Sequence, residues 1–306
     1  MGWRNNRLES AITDYGRTVS FGIFPIPDAA QLDMLWEAVR IADAEGLDLV
    51  GIQDHPYQRR FVDTFALLAA VAVRTQRLTV FPDVASLPLR PPPVLAKTAA
   101  TIDLLSGGRF ELGLGAGAFW EAITAMGGPA RTPGESLQAL REAIEVIRLM
   151  WSSDGSLRYD GEHYQLAGVK PGPSPAHDIG IWLGVYGPRA LRLLGETADG
   201  WLPSIPRMPI EDLAPKHAII DEAATAAGRR PKDIRRLANV NGVISDGESA
   251  GYLRGPPDQW VDELSDLVET HGLDSFILWP DRDIPEQTAR FAEVAERVRA
   301  ALGPRG

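Results

Sequence analysis

The residues best placed to do chemistry are Gln53-Asp54-His55-Pro56, directly behind the short apolar run 49–52. His55 is one of five histidines in the chain. Its ordinary pKa suits proton transfer near neutrality. Asp54 either orients that ring or caps the following turn. The competing reading of His55 is a structural histidine beside a turn-forming proline. Other candidates also follow apolar runs. Asp83 follows one, and the glycine pattern Gly113, Gly115, Gly117 closes another, with Ala116 between the last two. A strand end that needs several positions without a Cβ is approached closely, by another backbone or by a ligand. Val185-Tyr186-Gly187 precedes Pro188, a good first residue for a helix. Free amides there favour an anion, with Arg189 adjacent, although an ordinary strand-to-helix turn looks the same.

Several chemistries find no support. No Walker glycine–lysine motif, HExxH or nucleophile-elbow G-x-S-x-G is present. His163, His177, His217 and His271 lack ligand spacing, so no metal is expected. His217 and His271 read as surface positions on outer helices. The chain has no cysteine, which excludes disulfides and thiolate catalysis. A net charge of −10 argues against nucleic acid or anionic membranes as partners. No apolar run reaches membrane-spanning length, and the polar start lacks a signal peptide's core, so cytoplasm is the expected compartment.

Something must position those residues, and the periodicity says what. Segments 19–24, 49–52, 78–84, 109–114, 181–185, 200–203, 237–244 and 275–279 read as strands. Helical patterns at 28–45, 64–74, 92–105, 132–151, 189–197, 210–227, 257–270 and 286–302 separate and follow them. Strict alternation implies parallel strands with crossover helices, and eight units imply closure into a (β/α)8 barrel. The alternative is an open doubly wound sheet, but the glycine pattern lacks G-x-G-x-x-G spacing. With 306 residues, 44% hydrophobic, the chain is expected to form a single barrel domain, 1–306, with an N-terminal extension over 1–17 and an insertion over about 152–180. The insertion contains a hairpin signal, SLRYDGEHYQL, and is a candidate lid. In such a barrel the strand C-termini make the active face, where every candidate above lies. Phe24, Trp120, Tyr186 and Trp279 would line the mouth.

Four stretches carry a resemblance: GIQDHP at 51–56, LPLRPPPVLAKTAATIDLLSGGRFELGLGAG at 87–117, GPRALRLLGETADGW at 187–201 and FILWP at 276–280. In them the chain resembles the bacterial luciferase-like monooxygenases, a family of flavin- and deazaflavin-dependent oxidoreductases. The second stretch matches in order and spacing throughout. The resemblance covers residues 19–300 and implies a (β/α)8 barrel with an insertion. It implies a reduced flavin or deazaflavin ring across the barrel mouth, with the Asp54-His55 pair beside ring and substrate. It also implies a non-proline cis peptide at Asp83–Val84 behind the ring. The cofactor phosphate is expected near Gly115, Ala116 and Gly117, and near Val185, Tyr186 and Gly187. Tyr186 departs from the glycine of many relatives. With FMN the enzyme would be a monooxygenase. With coenzyme F420 it would transfer hydride, and the QDHP and GPRALRL segments are closer to that branch. The implied partners are a small organic substrate, a reductase supplying reduced cofactor, and a second copy in a homodimer. A rival of another class is a non-catalytic flavin-binding protein on the same barrel, which would not need His55. A metal-free hydrolase or aldolase would need a strand-end lysine or paired carboxylates.

Overall fold

A computed structural model describes residues 14–305 apart from residue 153. Of the expected extension over 1–17, residues 1–13 lie outside the described residues. Asp14 pairs with Arg305 at 2.7 Å, and the Tyr15 hydroxyl donates to Asp221 at 2.7 Å.

The strands are β1 Ser20–Ile23, β2 Leu49–Ile52, β3 Thr79–Pro82, β4 Ala85–Ser86, β5 Leu112–Gly115, β6 Leu157–Asp160, β7 Gln165–Val169, β8 Ile181–Leu183, β9 Gly200–Trp201, β10 Arg235–Ile244, β11 Arg254–Gly255 and β12 Ser275–Pro280. The helices are α1 Leu32–Ala44, α2 Thr64–Arg74, α3 Pro92–Ser106, α4 Trp120–Ala125, α5 Pro133–Ser152, α6 Pro188–Thr197, α7 Leu213–Ala226, α8 Pro257–Glu269 and α9 Ile284–Leu302. The main sheet runs β3-β2-β1-β12-β10-β9-β8-β5-β4, parallel throughout. A parallel bridge between Val80 and Phe110 joins β3 back to the β5 side, through Val80 N to Arg109 O and Glu111 N to Val80 O. The sheet therefore closes as the expected (β/α)8 barrel. β2 is buried at all four positions, as a strand covered on both faces should be. No helix among the described residues is long and apolar enough to cross a membrane.

Closure depends on the SGGR segment. Gly107 and Gly108 take φ of 70° and 89°, ending α3 with positive dihedrals that glycine adopts freely. Arg109 then reaches into the end of α2. Its guanidinium donates to Ala72 O at 2.8 Å, Thr75 O at 3.0 Å and Leu78 O at 2.6 Å. Those carbonyls would otherwise lack intrahelical or ladder partners. The continuous strand β5 starts at Leu112, preceded by the single bridge at Phe110 rather than by a strand from Arg109.

Strand three also departs from expectation. It stops at Pro82, the Asp83–Val84 peptide is cis, and the chain resumes as β4. Pro82 carries no N–H, so it is tolerated as the last residue of the strand. The Asp83 N–H continues the ladder to Ile52 O.

The insertion holds the expected hairpin, β6 against β7. Its turn is pinned to α5, where the buried Glu142 carboxylate accepts from the N–H groups of Glu162, His163 and Tyr164. The return loop is pinned at the N-terminal end of β5. There Asp103 accepts from the Ala176 and His177 N–H groups and meets His177 Nδ1 at 2.8 Å. Glu111 and Asp103 together push His177 up to about 9 against the opposing effect of burial. The loop is thus tied to the opposite end of β5 from Gly115, and does not act as a lid. His217 is a second correction. It is buried on α7, edge-on to Trp201 with ring centroids 5.2 Å apart, and burial holds it neutral.

Replacing Arg109 with Ala removes the cation that satisfies four carbonyls at once, those of Ala72, Thr75, Leu78 and Ser106. Denaturant unfolding should show a loss of about 2–3 kcal/mol, the cost of unpaired buried acceptors. An unchanged midpoint would mean the closure does not depend on it.

Candidate active site

The C-terminal strand ends surround a cavity of about 430 Å³. Asp54, His55, Asp83, Val84, Gly115, Ala116, Gly117, Val185, Tyr186 and Gly187 all line it. The structure therefore brings these ten residues together, whereas Gly113 and Arg189 are not part of the lining. Phe24, Tyr57, Phe119 and Trp279 supply its aromatic wall, whereas Trp120 is not part of it.

The glycines around β5 have a specific cause. A Cβ on Gly113 would lie 2.0 Å from Pro82 O, and one on Gly115 would lie 2.7 Å from Val84 Cγ2. A Cβ on Gly184 would lie 3.2 Å from both methyls of Val84. The close approach expected at this strand end is thus made by the chain itself: Pro82 and Val84 occupy the space three side chains would take. Gly117 has φ 105° and turns the chain against Pro88 and Trp120.

Asp54 behaves otherwise than expected. Its carboxylate accepts from Ser86 N at 2.9 Å and from Arg90 at 2.8 and 3.2 Å. Arg90 also binds Asp63 at 2.6 Å. Burial opposes the Arg90 charge, but the two carboxylates outweigh it and hold the guanidinium firmly protonated. Asp54 therefore neither bonds His55 nor caps the turn after it. It ties the end of β2 to β4, and so holds the segment that carries Val84.

His55 is half-buried, with Nδ1 2.7 Å from the Tyr57 hydroxyl. Burial lowers its pKa, Arg207 adds to that, and the field of Asp54 opposes it. The net effect favours the neutral ring. Burial, and then Asp54, push the Tyr57 hydroxyl up to about 12. Phe119, 47% exposed at the mouth, stands edge-on to His55 with centroids 5.5 Å apart.

Asp83 is buried, with Oδ1 accepting from Asn239 Nδ2 at 3.1 Å and Oδ2 unpaired. Burial pushes it up to about 7, against the pull of the Asn239 amide. Asn239 Oδ1 is also buried without a partner among the described residues. On the far wall the Tyr186 hydroxyl accepts from Ser204 N at 2.9 Å, which fixes the loop after β9. Gly187 caps α6 without a side-chain bond, and a Cβ there would meet open space. Arg189 lies outside the cavity, in a separate groove with Arg141 and Arg192. The cation that does line the cavity is Arg207, whose guanidinium has no partner among the described residues.

Tyr57, Asn239 and Arg207 were not anticipated. Asn239 could have been, because a polar residue inside the apolar strand LANVNGVI asks for a buried partner. Tyr57 shares a loop with His55, a weaker signal. Nothing local marks Arg207, which ends a short 3-10 turn, Ile205–Arg207, after β9.

A family model described as luciferase-like monooxygenase matches residues 14–252. The chain is 33% identical over 186 residues to a 5,10-methylenetetrahydromethanopterin reductase of Archaeoglobus fulgidus, covering 60% of this chain and 52% of that one. It is 30% identical over 217 residues to an F420-dependent glucose-6-phosphate dehydrogenase of Amycolatopsis mediterranei, covering 68% and 64%. The matches thus span about half to two-thirds of those relatives' own length. The solved structure of the monooxygenase RslO1 from Streptomyces bottropensis has the same fold, with TM-score 0.80 at 20% identity, covering 93% of this chain and 100% of that one.

The sign of the Asp83 effect is testable. Its folded pKa of about 7 lies above the ordinary 3.8. The stability it lends is present below that ordinary value and is lost as pH rises to about 7. Asp83→Asn removes this dependence. The melting temperature of the variant should gain on the parent between mildly acidic and mildly alkaline pH. A difference that stays constant with pH would mean Asp83 ionises normally.

Proposed function

The chain belongs to the luciferase-like monooxygenase family, and on that premise we propose that the barrel mouth binds a reduced flavin or deazaflavin and carries out an oxidoreductase reaction on a small organic substrate. The observation that carries this reading is the meeting in one cavity of His55, the Asp83–Val84 segment and the start of α6, which has no side-chain cap. The residues fit such a group. Val84 stands forward in its glycine slot and offers an apolar face for a ring. The free amides of α6 and the unpaired Arg207 suit an anionic end. A volume of about 430 Å³ is within the range of cofactor sites.

In this reading Val84 and Asp83 would hold the ring, and Gly115, Ala116 and Gly117 with Val185, Tyr186 and Gly187 would hold the phosphate. When bound, the ring supplies or takes a hydride, or with FMN delivers an oxygen atom from dioxygen. His55 holds a proton at the substrate, and the aromatic wall of Phe24, Tyr57, Phe119 and Trp279 excludes water. Asp54 acts at one remove, by holding β4. Coenzyme F420 is the favoured cofactor, supported by the F420-dependent relative at 30% identity. With FMN, a separate reductase would be the partner. We read the whole chain as one barrel unit in the cytoplasm, acting as a homodimer. The exposed apolar groove between α2 and α3, with Ala66, Ala69, Val94 and Leu105, supports the second copy.

Fluorescence titration with oxidised F420 and with FMN tests the assignment. At least one should bind well below millimolar, and binding of neither would sink it. His55→Ala should keep the melting temperature and lower turnover by about two to four orders of magnitude. A variant as active as the parent would remove His55 from the reaction.

A further inference from the structure

Among the described residues, Tyr57 is the polar side chain that bonds His55, at 2.7 Å between the hydroxyl and Nδ1. Two arrangements satisfy that contact. Tyr57 can donate to a bare Nδ1, which puts the imidazole proton on Nε2. Or Nδ1–H can donate to the phenol oxygen, which leaves Nε2 bare. The two present opposite chemistry to the cavity.

The geometry favours the first. To an oxygen acceptor, as the phenol would be in the second arrangement, an N–H donor sits at about 2.9–3.0 Å, and hydroxyl donors make the shorter bonds, about 2.7–2.8 Å to oxygen. The observed 2.7 Å belongs with the hydroxyl. Burial and Asp54 keep the phenol protonated, so its O–H is available to give. Burial also keeps the imidazole neutral, so one of its nitrogens must be bare. A bare imidazole nitrogen is a stronger acceptor than a phenol oxygen, whose lone pair is drawn into its ring. Nε2 bonds nothing among the described residues, yet it is not sealed from solvent, and His55 lines the cavity. Phe119, edge-on to His55 and tilted against Tyr57 at 5.9 Å, holds the two rings in place.

We infer that Tyr57 is a positioning residue: its O–H···Nδ1 bond locks neutral His55 in the tautomer that carries its proton on Nε2, so that the cavity offers a hydrogen-bond donor to an acceptor atom of the substrate. The substrate class that follows is a compound with a carbonyl oxygen or similar acceptor at the reacting centre. A hydroxyl waiting to lose its proton would instead need a bare Nε2. A neutral imidazole N–H acting on a carbonyl is an established catalytic device in other barrels. The inference rests on the proposed function for its substrate, but not for the tautomer itself.

Nitrogen NMR of protein labelled with 15N-histidine reads the tautomer directly, without any cofactor. The His55 signals are identified by their loss in His55→Gln. At mildly alkaline pH the parent should show a proton-bearing Nε2 and a bare Nδ1, in one dominant form. Tyr57→Phe keeps the ring packing and removes the donor. In that variant both nitrogens should move towards the averaged shifts of mixed tautomers. The protonation midpoint of His55 should also rise, because the lost bond had favoured the neutral ring. A proton-bearing Nδ1 in the parent, or mixed tautomers there, overturns the inference. So does a Tyr57→Phe spectrum identical to the parent's with an unchanged melting temperature. Since no cofactor is added, failure here leaves the cofactor assignment standing, and a failed cofactor titration leaves the tautomer result valid.

Discussion

The site depends on the seating of Val84. Its isopropyl group lies where side chains on Gly115 and Gly184 would be, and Pro82 O lies where a side chain on Gly113 would be. Close packing leaves no slack at such a contact, since even one added methylene is felt in a protein interior. The slot alone does not hold the segment. Asp54 binds Ser86 N and Arg90, and Arg90 binds Asp63, so β4 is tied to the end of β2 and the start of α2. Apolar packing sets how far Val84 stands into the mouth, and an ion-paired strut sets its height on the barrel.

Charge is arranged around this face with an evident bias. The full charges are at the edge: Arg207 on the wall, and Arg90 neutralised by two carboxylates. Burial shifts the groups facing inward towards their neutral forms: it lowers His55, raises Tyr57 and raises Asp83. An unpaired charge in such a cavity would be costly, whereas neutral donors and acceptors cost little and still orient a ligand. The mouth therefore offers neutral donors and acceptors inside and, on its wall, a cation, Arg207, that is unpaired among the described residues. His55 and Tyr57 fit this as a single unit.

Much of this was legible in the chain. The alternation of apolar runs with amphipathic helices specifies a closed parallel barrel, and the strand-end rule then points to His55, Asp83 and Gly115 on one face. What escaped lies where tertiary contact decides. The helix pattern of 213–226 cannot tell which of its residues meets Trp201, so His217 passed for a surface residue. Asp54 beside His55 suggested a bonded pair, yet its partner Arg90 is distant in sequence. The insertion suggested a lid, but Glu142 and Asp103 bind its backbone elsewhere. Arg207 reaches the cavity from a single 3-10 turn, too short to carry a periodic signal. His217, Asp54 and the insertion were misread because the group that each meets lies in another element.

The central claim is that the Val84 face receives the cofactor ring. A crystal structure of the protein grown with the cofactor that binds it would test this most directly. The account predicts ring density in the cavity of about 430 Å³, stacked on Val84, with its anionic end towards Arg207 and the start of α6. Density for the ring in any other pocket, or Val84 displaced from its glycine slot to admit it, would contradict the account.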